Sequence, residues 1–360
     1  MFPILGIVLL FLALPALAQK HILYVTHSAG YRHDSIGPSI RAMQQLAERT
    51  GKLRVTATED LSILNTSALG GYDAIFFFTS GELPLSDQQK RDLLAFVRSG
   101  KGFGGAHSAT DTLYLWPEYG DLIGGYFDGH PWAQEAGVDV EDPDFPGMRD
   151  AAPSFRIVEE LYQFRSFSRD NVRVLLTLDT ATVDLGAQGV NRTDGDFALA
   201  WVRPYGQGRV FYTALGHFDE TWTEPRFQKM LEGALLWLAG EVEADASPRS
   251  TSQSPAPVIA GVATPTGTAE SFAPGSLIAI YGSNLTSGTV IAAPGAPLPI
   301  KLAGTRAEVN GRPLDLLYVS PNQVNARLPA SIAAGMALLR LTAVNRTSQE
   351  FPLLIAASSP

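Results

Sequence analysis

Apolar and polar positions follow two rhythms along this 360-residue chain, and the change of rhythm divides it. From Lys20 to about Gly240, short apolar runs alternate with segments whose apolar residues recur at helical spacing. His21–His27, Leu53–Thr58, Asp73–Ser80 and Gly102–Ala106 read as strands, the third apolar enough to be buried on both faces. Between them, Ser35–Arg49 carries Ile36, Ile40, Met43, Leu46 and Ala47 on one helical face. Ser86 with Gln89 forms a capping box for a helix through Arg98. This alternation predicts an α/β fold, a doubly wound parallel sheet with right-handed crossovers. The middle third is less regular. Val172–Thr180 reads as a strand, residues 197–217 as a hairpin turning at Tyr205–Gly208, and the stretch after Pro225 as an amphipathic closing helix.

Residues 242–257, rich in Ser, Pro, Ala and charge, read as a linker between an α/β domain over 20–241 and a second domain over 258–360. Past the linker the chain holds short strands separated by turns, with Asn310-Gly311 as a type I′ hairpin signal, which predicts an all-β sandwich. At the other end, Ile4–Leu14 is an apolar run broken by Pro15 and followed by Ala16-Leu17-Ala18. Residues 1–18 therefore read as a signal peptide cleaved after Ala18, although only the α-amino group supplies positive charge before the run. The expected location is extracytoplasmic, periplasmic or secreted, with no transmembrane segment in the mature chain.

Composition narrows the chemistry. A net charge of −9 with no basic stripe argues against nucleic-acid binding. The absence of cysteine excludes disulfides, a thiol nucleophile and a lipoprotein attachment site. The segment Gly100-Lys101-Gly102-Phe103-Gly104-Gly105 matches the spacing of a dinucleotide-binding fingerprint in the wrong context. A helix precedes it and a strand follows, the reverse of what a pyrophosphate site requires. Close packing of a buried strand explains those glycines better.

In an open parallel sheet, ligands bind at the carboxyl ends of the strands. Four of the six histidines fall there: His27 and His33 at and after the first strand, His107 after the glycine-rich strand, and His217 after the last. His130 lies in an irregular loop, and Asp111 follows His107 by about one helical turn. Of the adjacent pair Glu159 and Glu160, strand alternation lets only one face inward. No nucleophile-elbow or zincin motif is present. A divalent metal held by separated histidines and carboxylates stays open, with His107, His217 and Glu160 as candidate ligands.

The stretches Thr26–Ile36, Gly102–Thr112, Gly124–Pro131, Glu159–Tyr162, Asp196–Trp201 and Gly206–His217 resemble, in order, motifs of the trehalose-utilisation family, called ThuA-like. That family is similar in fold to class I glutamine amidotransferases, with a flavodoxin-like core. Amidotransferase chemistry needs a cysteine, which this chain lacks. The family's D-E-x-Y becomes Glu159-Glu160-Leu161-Tyr162, leaving Glu160 and Tyr162 in place. The tail, from Pro274–Leu285 through Leu302–Pro329, resembles an Ig-like C-terminal module of secreted bacterial proteins, which implies attachment or display at the cell surface.

The resemblance implies a small-molecule carbohydrate as partner, a keto-disaccharide or keto-glycoside. The implied reaction is proton abstraction beside a carbonyl, leading to isomerisation or eliminative cleavage. Such a reaction needs a base near neutral pKa and a group that stabilises the enolate oxygen. His107, oriented by Asp111 and faced by His217 and His33, is the expected acid–base set. Glu160, Tyr162, Asp196 and His130 are expected to bind substrate, with Trp132 and Trp222 as stacking surfaces. The alternative is a non-catalytic carbohydrate-binding or surface-displayed module.

Overall fold

The apolar runs assemble as nine strands of one sheet in the computed structural model, which describes residues 19–249, 256–265, 267–286, 290–292, 298–343 and 346–357. The expected signal peptide and residues 250–255 of the linker lie outside those described. The strands are β1 (Lys20–Val25), β2 (Leu53–Thr58), β3 (Ala74–Phe77), β4 (Gly102–Ala106), β5 (Tyr126–Phe127), β6 (Trp132–Val140), β7 (Ser154–Leu161), β8 (Phe164–Arg165), β9 (Arg173–Leu178), β10 (Ala198–Tyr205) and β11 (Gly208–Thr213). The sheet runs β2-β1-β3-β4-β11-β10-β9-β6-β7, and β5 pairs with β8 in a separate ribbon.

Only the first half of this sheet is parallel. β2, β1, β3, β4 and β11 pair in parallel, whereas β10, β9, β6 and β7 extend it antiparallel. The expected parallel sheet accounts for the first half, and the expected hairpin begins an antiparallel extension that the sequence did not show in full. Parallel neighbours need a long crossover, commonly a helix. α1 (Ile36–Thr50) and α3 (Asp87–Arg98) stand between strands of the first half, with the short α2 (Thr66–Leu69). The middle third has only the seven-residue α-helix α4 (Pro117–Ile123), and its strands are joined by loops with short 3-10 helices. The β10–β11 hairpin reverses at Gly206, whose φ of 61° suits glycine.

The glycines of β4 are packing devices. A Cβ on Gly102 would lie 2.4 Å from the Leu238 carbonyl oxygen of α5 (Pro225–Leu238), and one on Gly104 would lie 2.4 Å from the Phe76 ring. On the opposite face, a Cβ on Gly105 would crowd Ala109 and Ile123 of α4. Helices thus cover β4 on both sides at a distance only glycine permits. The capping box at Ser86 and Gln89 forms as the sequence predicts.

Beyond the linker a second apolar core, separate from the first, gathers Ile278, Leu316, Val324 and Leu341. Two five-stranded sheets enclose it among the described residues, antiparallel at every pairing. Asn310 and Gly311 both take positive φ, 49° and 74°, between paired strands, as the hairpin signal requires. Lys301 bridges the two units by pairing with Asp139 and Asp179. No helix among the described residues is long and apolar enough to cross a membrane.

Candidate functional site

The carboxyl edge of the parallel half carries a cavity of about 320 Å³. β4 delivers His107 to its floor in the left-handed region, at φ 47°, a conformation that a non-glycine residue holds only when its surroundings enforce it. His107 Nδ1 lies 2.8 Å from the carbonyl oxygen of Ala214, just past the neighbouring strand β11. A carbonyl only accepts, so Nδ1 carries the hydrogen and the neutral ring presents a lone pair at Nε2. The Tyr162 hydroxyl donates to that lone pair at 2.8 Å, and His217 Nδ1 stands 3.2 Å from it.

His217 comes from the turn after β11, which several groups fix. Gly216 there has φ 132°, and its carbonyl accepts from the Ser35 hydroxyl and the Trp222 indole. Its amide and that of His217 donate to Glu159 at 2.9 and 3.0 Å, and the Thr221 hydroxyl donates to the same carboxylate at 2.7 Å. His33, in the loop after β1, packs edge-on against both other imidazoles, with ring centroids 4.7 Å from His107 and 5.3 Å from His217.

β7 lies at the far edge of the sheet order, yet its end reaches back over this turn. Glu160 is the hub: its carboxylate is 3.1 Å from His217 Nδ1, 3.6 Å from His107 Nε2 and 3.7 Å from His130 Nδ1. Both His107 Nε2 and Glu160 are acceptors, so the hydrogen between them belongs to His217 Nδ1. Tyr31 and Phe127 form aromatic walls of the cavity, and Asp111 lies on its rim.

Charge follows from this geometry. The hydrogen bond that His217 donates to Glu160, with that carboxylate's negative charge, raises His217 above the ordinary imidazole value despite partial burial. Burial alone would push Glu160 up, but the hydrogen bond and charge of His217 hold it below the usual carboxylate range. Burial, then the charge of His217, brings His33 down to about 4. Burial also lowers His107 well below its ordinary value and raises the Tyr162 hydroxyl well above its own. The site is therefore one ion pair, Glu160 with His217, beside two neutral imidazoles and an un-ionised phenol.

The structure brings His33, His107, His217, His130, Glu160 and Tyr162 together, keeps Asp111 on the same cavity, and separates Asp196, Trp132 and Trp222 from them. His107 has no solvent-exposed surface and both ring nitrogens are engaged, so it is a floor residue and not an accessible base. Asp111 does not orient it. That carboxylate accepts from the Tyr114 hydroxyl at 2.6 Å, and a main-chain carbonyl does the orienting. Asp196 lies outside the cavity, bound by Arg169 at 2.7 and 2.8 Å, and Arg169 also clamps Glu141. Trp132 is buried with its indole donating to the Asp184 carbonyl, and Trp222 is buried beneath the Gly216 turn. Neither offers a face to a ligand. His27 stays at the strand edge but turns to the Glu59 carbonyl. Glu159, Tyr31 and Phe127 carry roles that the sequence did not assign, although all three lie within the family-like motifs.

Residues 21–238 match the family model described as ThuA, trehalose utilisation. Among solved structures, a ThuA-like protein from Bacteroides uniformis is 21% identical, with a TM-score of 0.51 over 63% of this chain and 95% of that one. Another from Parabacteroides merdae is 19% identical, with a TM-score of 0.50 over 64% of this chain and 98% of that one. At these identities the likeness speaks for the fold alone. No curated protein matches the chain. With the family model spanning more than half its length, the chain belongs to the ThuA family.

Proposed function

We propose that this ThuA-family chain acts on a keto-disaccharide or keto-glycoside, abstracting the proton beside the carbonyl to isomerise the sugar or cleave its glycosidic bond by elimination. The observation that carries this reading is Glu160. It is a carboxylate 14% exposed to the cavity and held by His217 on one side, with His130 3.7 Å away on the other. A cavity of about 320 Å³ stands at the low end of the roughly 300–1,000 Å³ range of small-molecule sites. That size suits one sugar ring between the Tyr31 and Phe127 walls, with the rest of the glycoside outside.

Glu160 takes the proton as the C–H bond breaks, and the electron pair moves onto the carbonyl oxygen. His130, whose side chain is 45% exposed, donates to that oxygen. Returning the proton to the former carbonyl carbon, while the neighbouring hydroxyl gives its hydrogen to His130 and becomes the new carbonyl, completes an isomerisation. Expelling the glycosidic oxygen from the β-carbon, with a proton from His130, completes an elimination. His217 keeps Glu160 ionised and oriented, and Tyr162 and His107 brace His217 from below.

The same proposal covers the rest of the chain. The parallel half of the sheet supports a flavodoxin-like, class I amidotransferase-like core without the thiol. The two antiparallel C-terminal sheets support an Ig-like sandwich serving attachment. The apolar N-terminal run supports export to an extracytoplasmic location. Incubation with 3-keto-disaccharides, followed by NMR, tests the central point: product formation supports the enzyme, and saturable binding without product supports the non-catalytic module.

A further inference from the structure

The floor of the cavity has an arrangement that proton abstraction does not itself require. Three imidazoles from three separate segments, His33, His107 and His217, each offer a ring nitrogen within 4.8 Å of the other two. Fixed hydrogen bonds dictate where their lone pairs point. The Ala214 carbonyl takes the Nδ1 hydrogen of His107, which leaves Nε2 as an acceptor 3.2 Å from His217 Nδ1, where the Tyr162 hydroxyl that donates to it would turn aside for an ion. The Ser108 hydroxyl stands 3.5 Å from His33 Nδ1. A main-chain carbonyl or hydroxyl behind a ring nitrogen is how metal-ligating histidines are oriented.

The spacing fits an ion. Imidazole nitrogens bind zinc-like ions at about 2.0–2.1 Å, so two ligands in tetrahedral array stand about 3.3 Å apart. His107 Nε2 and His217 Nδ1 are 3.2 Å apart already. Glu160 lies at 3.1 and 3.6 Å from those same two atoms, and supplies the negative charge an ion would need.

We infer that His33, His107 and His217 form a binding site for a divalent transition ion of the zinc type, with Glu160 beside it. A donor set dominated by imidazole selects such ions over calcium or magnesium, which require oxygen ligands. Bound there, the ion would supply a Lewis acid for a carbonyl or hydroxyl oxygen entering the cavity. His217 would turn its hydrogen to Nε2, leaving Nδ1 free to bind. The inference concerns the pocket of the carbohydrate reading but stands on ligand geometry, so its test reads metal and not turnover.

The test uses the full chain without an affinity tag, stripped by chelator and titrated with Zn²⁺ by calorimetry and with Co²⁺ by visible absorption. One ion per chain is expected, with Co²⁺ bands of nitrogen-rich coordination. His33→Gln and His217→Gln, both folded by near-ultraviolet circular dichroism, should each weaken binding by more than about tenfold. His27→Gln, on the same sheet edge outside the cluster, should bind as the wild type does. Absence of stoichiometric binding, or undiminished binding by both cluster variants, overturns the inference. Absence of binding together with full keto-sugar turnover overturns it and leaves the carbohydrate reading standing. Tight binding without turnover upholds the site and counts against that reading.

Discussion

Glu159 and Glu160 are neighbours on one strand and hold the same histidine from opposite sides. Glu159 accepts the backbone amides of Gly216 and His217 beneath the turn, while Glu160 stands 3.1 Å from the His217 ring within the cavity. The first fixes where the imidazole sits, and the second fixes its charge.

Glu159 is fully buried, and Glu159→Ala would strand three amides, those of Glu160, Gly216 and His217, and the Thr221 hydroxyl. Each unsatisfied buried group costs about 1–3 kcal/mol, so the variant should lose several kcal/mol in urea unfolding, and Glu159→Gln less. The pH dependence has a definite sign. Burial raises the carboxyl to about 7 from 4.5, against the hydrogen bonds that favour its charge. Between pH 4.5 and 7 the folded state therefore binds the extra proton. Wild-type stability should fall relative to Glu159→Gln as pH rises through that window, by up to about 1.4 kcal/mol per unit, and level off above it. A rising difference across the window would contradict this.

Gly102→Ala tests the packing role of the glycine run. The added Cβ meets a main-chain carbonyl at 2.4 Å, which cannot swing aside as a side chain can. Overpacking of this kind costs about 1–3 kcal/mol, and thermal unfolding should register it as a lowered midpoint. An unchanged midpoint would mean that α5 moves freely over β4.

Asp196 belongs to an ionic cluster and not to the cavity. Arg169→Leu should destabilise the fold by about 3–5 kcal/mol because it strands two partly buried carboxylates, Glu141 and Asp196. Asp196→Asn should leave keto-sugar affinity per folded molecule unchanged. A KM shift in Asp196→Asn with stability intact would return Asp196 to the substrate site.

Much of the site could be read before the fold, for a specific reason. Parallel strands carry their carboxyl ends to one edge, so the positions of His33, His107 and His217 after β1, β4 and β11 sufficed to group them. What the sequence hid depends on tertiary pairing. Nothing local marks Arg169 as the partner that neutralises Asp196 from 27 residues away. Trp132 and Trp222 look like stacking surfaces until burial removes them. The alternation rule was right that only Glu160 faces the cavity, but it discounted Glu159, because the turn after β11 reaches the other face as well. In the antiparallel half the hairpin, the strand at Val172–Thr180 and the alternation around Glu159 and Glu160 are legible in the sequence, but their pairing is not. Most of β6 is missed, because exposed Gln134 and Glu135 interrupt its apolar positions.

Glu160→Gln is nearly isosteric but cannot take a proton. With a keto-disaccharide in deuterated water, the wild type should exchange the hydrogen beside the carbonyl, as seen by loss of its NMR signal. The variant should exchange about 10²–10⁴-fold more slowly while still binding the sugar. Equal exchange by wild type and variant, or none by either at saturating sugar, would contradict the assignment of Glu160 as the base.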